Sequence, residues 1–382
     1  MDAIAAAQVL SEIGYLLRQD PKEVFRAKAF SAAAWTLAVE RPDLDALHTA
    51  NKLTTIEGVG AGIAKVLAGL VETGRSSYLE RLRAETGQPA REDESIIDLT
   101  KYQGDLHSHT DWSDGRATML EMARAAKALG YKYLGVTDHS PRIKVVHGLD
   151  AERLLAQSRE REQVEKEVGG LALLQGIEVD ILEDGSLDLP DPVLELLDVV
   201  IASPHVKLRQ EESSMTERMI RAVSNPNVDV IGHPTGRRPG SREGATYDFE
   251  KVFREAARHG VALEIDCDPA RMDLSPEHAR LALECGCNFS LDADAHAPAE
   301  LAYVPMAAWL AGRAGIPMDR ILNLRPRCGS PTRCSPASTR RPREPVCPST
   351  RSSSPPAWNG CSGTRRFQGR HVWTSTCPRK RA

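Results

Sequence analysis

The stretch Asp105-Leu106-His107-Ser108-His109-Thr110-Asp111-Trp112-Ser113-Asp114-Gly115 decides how this chain is read. Two histidines one residue apart close a short apolar segment, and an extended backbone there points both rings to the same side. A carboxylate, Asp114, follows five residues after the second histidine. Imidazoles that converge with a carboxylate meet the needs of a divalent transition metal. A single such pair carries little weight, because histidines are common on surfaces. Recurrence downstream gives it weight.

From residue 104 to about 323, strand-like and helix-like segments alternate. Apolar strand candidates end near His107, Thr137, Glu178, Ala202, Ile231, Ile265 and Leu291, and residues 119–129, 152–168, 216–223, 249–259 and 276–284 have helical character. About seven β/α units imply a parallel sheet, closed as a barrel rather than left open. Each strand end carries a candidate ligand. After His107, His109 and Asp114 come His139 in Thr137-Asp138-His139, Glu178 and Asp180, then His205 and His233. The sixth strand gives Glu264-Ile265-Asp266 and the seventh Asp292-Ala293-Asp294-Ala295-His296. Barrel enzymes place their chemistry at the C-terminal ends of the strands, which converge on one mouth. Six of the eleven histidines stand at such ends. Of the others, His259 reads as a helix C-terminal residue, His278 lies in a helix, His371 in the tail and His147 in the loop after the second strand.

Composition sets the outer limits. With 382 residues the chain accommodates two domains. No apolar run approaches membrane-spanning length, and no basic flank with an apolar core opens the chain, so a cytoplasmic location without membrane partners is expected. The formal charge of −4 divides unevenly: residues 324–382 carry +12 and the remainder −16. Five of the eight cysteines also lie in that tail, and Cys267, Cys285 and Cys287 lack CxxC spacing, which disfavours a disulfide framework or a zinc finger. The tail is rich in Ser, Pro and Arg, with no hydrophobic period, and is expected to be disordered. Its abrupt onset, with no Asp and a single Glu, reads as translation in a shifted frame, with a genuine basic nucleic-acid-binding tail as the alternative.

Residues 1–87 read as helical. Residues 4–17 carry apolar side chains at helical spacing, and Asp20-Pro21-Lys22-Glu23 combines an N-cap, a proline at the first helical position and a capping-box glutamate. In Leu53-Thr54-Thr55-Ile56-Glu57-Gly58-Val59-Gly60-Ala61-Gly62-Ile63-Ala64-Lys65, two glycines permit a tight turn and leave the next helix's first amides open to a phosphate. The stretch resembles the helix-hairpin-helix motif. Together with residues 24–30 it resembles the N-terminal DNA-binding domain of family X DNA polymerases. That resemblance implies DNA as a partner, met by Gly58, Val59, Gly60, Gly62 and Lys65. With 10 Lys/Arg and 11 Asp/Glu over residues 1–86, the affinity should be modest. Val66 stands where eukaryotic members carry a lyase lysine, so lyase chemistry is not expected. Residues 88–101 form a linker. Fewer than 20 residues thus separate the two modules, which leaves no room for a polymerase palm.

His107-Ser108-His109, Thr137-Asp138-His139, Gly232-His233-Pro234-Thr235-Gly236-Arg237 and Asp294-Ala295-His296 resemble the motifs of the polymerase and histidinol phosphatase (PHP) domain, over residues 102–323. The version attached to bacterial family X polymerases is the nearest. The resemblance implies an α/β fold, a distorted seven-stranded barrel around three divalent ions. His107, His109, Glu178 and Asp294 would hold one ion, Glu178, His205 and His233 a second, and Asp114, His139 and His296 the third. Mixed imidazole and carboxylate ligation suits zinc, manganese or iron better than magnesium. Such ions ionise a bound water near neutral pH and neutralise charge on a phosphoryl oxygen. Glu178 and His233 stand at the centre of this set. Arg237 and Arg271 are expected to orient phosphate as a fork, and Arg142 and Lys144 are further candidates. Asp266 and Asp292 replace the asparagines expected in the sixth and seventh motifs. The implied function is metal-dependent phosphoester hydrolysis at DNA ends, with a small-molecule phosphatase or a non-catalytic DNA-binding protein as alternatives.

Overall fold

Five α-helices precede the first strand in the computed structural model, which describes residues 1–18, 20–88, 94, 95, 97–239 and 241–325. The tail expected from residue 324 falls, beyond residue 325, outside the described residues, as do 89–93 and 96 of the expected linker. Helix α1 (Ala3–Arg18) buries Ala6, Leu10, Ile13 and Leu17 on one stripe and packs along α2 (Val24–Glu40). The expected capping box between them does not form. The Asp20 side chain does accept from the Lys22 N–H at 2.9 Å, but its own N–H already bonds the Leu17 carbonyl. Pro21–Glu23 takes one 3-10 turn, and the Glu23 carboxylate accepts from Arg26 instead.

Next come α3 (Leu44–Thr49), α4 (Ala61–Thr73) and α5 (Ser77–Glu85). Gly58, at φ +77°, makes the turn before α4, a conformation that glycine adopts without a Cβ penalty. Helix α4 then buries Ile63, Val66, Leu67 and Leu70.

Seven parallel strands follow, and their order in the sheet is their order in the chain. They are β1 (Gly104–Asp105), β2 (Tyr133–Val136), β3 (Ala172–Asp180), β4 (Val199–Ser203), β5 (Val230–Ile231), β6 (Ala262–Asp266) and β7 (Phe289–Asp292). The long β3 pairs with β2 over its first half, Tyr133 opposite Ala172, and with β4 over its second, Gly176 opposite Val199. Between the strands run α6 (Met119–Ala128), α7 (Ala151–Val168), α8 (Asp191–Leu194), α9 (Glu212–Val223), α10 (Phe249–His259) and α11 (Pro276–Glu284). Thr118 and Glu121 close a reciprocal capping box that fixes the start of α6.

The ring closes between β7 and β1. Ser108 bridges Ala295, and the His109 N–H donates to the Ala295 carbonyl at 2.8 Å. Asn323 fills the gap below by donating to the Gly104 carbonyl and to Asp292, both at 2.9 Å, while accepting from the Leu291 N–H at 2.7 Å. Leu106, Tyr133, Leu174, Val199, Ile201, Val230, Ala262 and Leu322 pack the barrel interior, so it is a filled core rather than a pore. A last helix, α12 (Val304–Arg313), had no counterpart among the expected elements and packs against α1. Helices and barrel form one compact unit. Among the described residues no helix is long and apolar enough to cross a membrane.

Candidate metal centre

All the strand-end residues singled out as ligands converge at one end of the barrel. His107, His109 and Asp114 come from the loop after β1, His139 from that after β2, Glu178 from within β3, His205 from after β4, His233 from after β5, and Asp294 and His296 from after β7. Parallel strands deliver them there because every C-terminal end opens on the same side. Close backbone approaches shape the loops: a Cβ at Gly115 would lie 2.6 Å from the Thr110 carbonyl carbon.

Glu178 is the hub. Its Oε1 lies 2.7 Å from His233 Nε2 and 3.1 Å from His205 Nε2, and its Oε2 lies 2.9 Å from His139 Nδ1 and 3.4 Å from His107 Nε2. Three groups bring their ligand atoms within mutual reach: His107, His109, Glu178 and Asp294; His109, Asp114, His139 and His296; and His139, Glu178 and His205. The first matches the expected set. The second matches with His109 added. In the third, His139 stands where His233 was expected, and His233 joins through Glu178 Oε1.

These residues fit divalent cations. His107 Nε2, His109 Nδ1, His139 Nδ1, Glu178 Oε2 and His205 Nε2 are buried and have no hydrogen-bond partner among the described residues. Buried polar atoms are costly unless something satisfies them. His107 Nε2 also stands 3.4 Å from Glu178 Oε2 and 3.5 Å from Asp294 Oδ1. Donors spaced this way can share one ion at roughly 2.0–2.2 Å from each.

The electrostatics divide the imidazoles into two kinds. Burial lowers His139, but Glu178 and Asp114 outweigh it and push it up to about 10. His296, lowered by burial, is raised to about 9 by Asp114 and Asp294. Burial and the neighbouring His296 and His139 bring His109 down to about 3, and burial with Arg271 brings His233 to about 3. Burial would raise Glu178, yet the surrounding imidazoles hold it well below the usual carboxylate range.

A ring of buried acceptors holds the ligand loops. Asp138 takes the Thr110 N–H and hydroxyl at 2.8 and 2.7 Å and the Gln157 amide at 2.6 Å. Asp180 lies 2.9 Å from His205 Nδ1. Asp273 takes the N–H groups of Thr235 and Gly236 at 2.9 and 2.8 Å. The ligand pattern alone does not identify Asp138, Asp273 or Glu264 as supports. The only sequence signal is that acids adjoin the motifs.

The arginines part company. Arg271 is buried, with Nε 3.3 Å from both Asp266 and Asp294, so its charge borders the centre. Arg237 instead donates its Nε–H to the Met272 carbonyl at 3.0 Å, with its guanidinium over the Tyr15 ring. Its side chain braces a loop against α1 and points away from the three ligand groups to the Met272 carbonyl. Arg142 pairs with Glu183. Lys144 and His147 line a depression of about 570 Å³ with Trp112 and Arg153, outside the three ligand groups.

At the hairpin, Gly58, Gly60, Gly62 and Lys65 are exposed and line a groove of about 1100 Å³ with Arg26 and Tyr78. Val59 is buried and belongs to the core.

Comparison with known proteins agrees with the geometry. The PHP-domain profile matches residues 105–267. Over 201 residues the chain is 43% identical to the DNA polymerase/3'-5' exonuclease PolX of Bacillus subtilis, a match covering 53% of this chain and 35% of that protein. Over 231 residues it is 33% identical to a probable phosphatase of a Thermoanaerobacter species, covering 57% of this chain and 89% of the phosphatase. The match therefore spans about a third of the polymerase relative's length.

Proposed function

This chain belongs to the PHP-domain family, and on that premise we propose that it is a metal-dependent phosphoesterase acting on DNA ends, as a 3′-to-5′ exonuclease or a 3′-end-processing hydrolase. The observation that carries the reading is the meeting of three ligand groups, two sharing Glu178 and the third joined to them through His109 and His139. Zinc, manganese or iron, as three ions, suits this donor set. Bound there, divalent ions supply an ionised water and neutralise charge on the phosphoryl group.

The chain's own residues do the rest. Glu178 is shared by two of the ligand groups, and His109 and His139 link them to the third, so these residues would hold divalent ions side by side. Arg271, lodged beside Asp294, adds a fixed positive charge at the rim where a phosphate approaches. The hairpin glycines and Lys65 offer open amides and one cation to a DNA backbone. Likeness to the polymerase/exonuclease supports DNA as the substrate class.

A second reading, a phosphatase for a small phosphomonoester, is favoured by the probable phosphatase, nearly all of whose length is matched. One assay separates the two. Purified protein with Mn²⁺ is given a labelled oligonucleotide and, separately, histidinol phosphate. Shortening from the 3′ end supports DNA-end hydrolysis. Phosphate released from the small ester alone supports the phosphatase. Neither activity would leave a DNA-binding protein without catalysis.

A further inference from the structure

Glu264 lies in β6, fully buried, and aims its two oxygens at two different ligand loops. Oε1 is 2.6 Å from His107 Nδ1, and Oε2 accepts the backbone N–H of His233 at 2.5 Å. One carboxylate thus ties the histidine after β1 to the histidine after β5.

The chemistry of that contact is directional. While Glu264 is ionised its oxygens only accept hydrogen bonds, so His107 Nδ1 then carries the hydrogen. A neutral imidazole has one N–H, which leaves the lone pair on Nε2. That atom faces Glu178 and Asp294 and has no hydrogen-bond partner among the described residues. At His233 the same carboxylate holds a backbone at φ +26°, outside the regions that L residues favour. The ring so placed meets Glu178 at 2.7 Å.

We propose that Glu264 is a positioning residue for the metal centre: it fixes His107 in the tautomer that presents Nε2 and pins His233 so that both converge on Glu178. The inference rests on the metal-centre reading above. It goes further by naming a residue that touches no ion and yet decides whether a ligand can bind one.

The substitution Glu264→Gln tests it. The amide oxygen can keep the His233 N–H, which leaves the NH₂ group facing His107. Nδ1 must then accept, the hydrogen moves to Nε2, and the ligand lone pair is lost. Zinc affinity is measured by equilibrium dialysis on the full chain, as wild type, Glu264→Gln, His107→Ala and the double variant. Long-range ¹H–¹⁵N NMR of the zinc-loaded protein reports the His107 tautomer.

The expected result is a loss of about 10–100-fold in affinity at one ion for Glu264→Gln, the scale typical of groups that orient metal ligands. The Nδ1-protonated signal of His107 should disappear, and Glu264→Gln should have no further effect once His107 is alanine. Unchanged zinc affinity, an unchanged tautomer, or equal losses in both backgrounds would overturn the assignment. A wild-type chain that binds no zinc, manganese or iron overturns the metal-centre reading itself, and this inference with it. Should Glu264→Gln not fold, Glu264→Asp keeps the charge but loses one methylene of reach, and the same loss of affinity is expected.

Discussion

The Trp35 indole Nε1 donates a 2.7 Å hydrogen bond to the Ala299 carbonyl, tying helix α2 to the segment just beyond His296. The helical segment is thereby joined to the rim of the ligand cluster. Replacing Trp35 with Phe removes the donor and should lower stability by about 1 kcal/mol, the net value of one such bond. If the helices present DNA to the barrel, oligonucleotide cleavage should fall severalfold while small-ester hydrolysis holds. Urea melts and paired kinetics check both.

Glu178 faces four imidazoles in a fully buried setting, so Glu178→Gln removes the negative charge opposite them and turns an NH₂ group toward imidazole nitrogens. Breaking a buried ion pair in this way costs about 3–5 kcal/mol. The metal-free variant should be destabilised on that scale, as read by denaturant unfolding, and hydrolysis should be lost.

The imidazoles predict a pH window for the metal-free protein. His139 at about 10 and His296 at about 9 hold protons in the folded state that the unfolded chain releases near 6.5. Their stabilising effect is fully present below 6.5 and is lost as pH climbs through 9 to 10. His109 and His233, both at about 3, work in the opposite sense. Below 6.5 the unfolded chain takes up protons that the folded one refuses, so stability falls there too. Thermal melts should therefore peak near pH 6.5 and fall on both sides, toward pH 9 to 10 and toward pH 3. Metal uptake at pH 7 should displace protons from His139 and His296, and from His107, which burial lowers but Glu264, Glu178 and Asp294 raise well above its ordinary value, measurable by calorimetry in buffers of different ionisation enthalpy.

Much of this was legible in the sequence because a parallel barrel converts position along the chain into position in space. A histidine just after a strand is already at the mouth, so the nine candidate ligands could be brought to one place from spacing and family motifs together. Direction was not legible. Arg237 adjoins the His233 motif, yet its guanidinium turns to the Met272 carbonyl, because Tyr15 from a distant helix offers a face to pack on. The closure by Asn323 and the docking of α12 on α1 are likewise long-range pairings. No local period encodes them.

The hairpin residues divide by burial. Val59 is buried, so Val59→Ala should cost roughly 1–3 kcal/mol of stability through lost packing. Lys65 is exposed, and Lys65→Ala should leave stability unchanged. If it contacts one phosphate, the salt dependence of DNA binding should fall by about one unit of slope. Binding titrations at several salt concentrations distinguish the two.

Anomalous diffraction from crystals grown with Mn²⁺ tests the central assignment most directly. Peaks are expected inside the three ligand groups, with Glu178 touching more than one and His107, His139 and His205 each beside a peak. Crystals of active protein that show no anomalous density there, or show it only on the outer surface, would contradict the account.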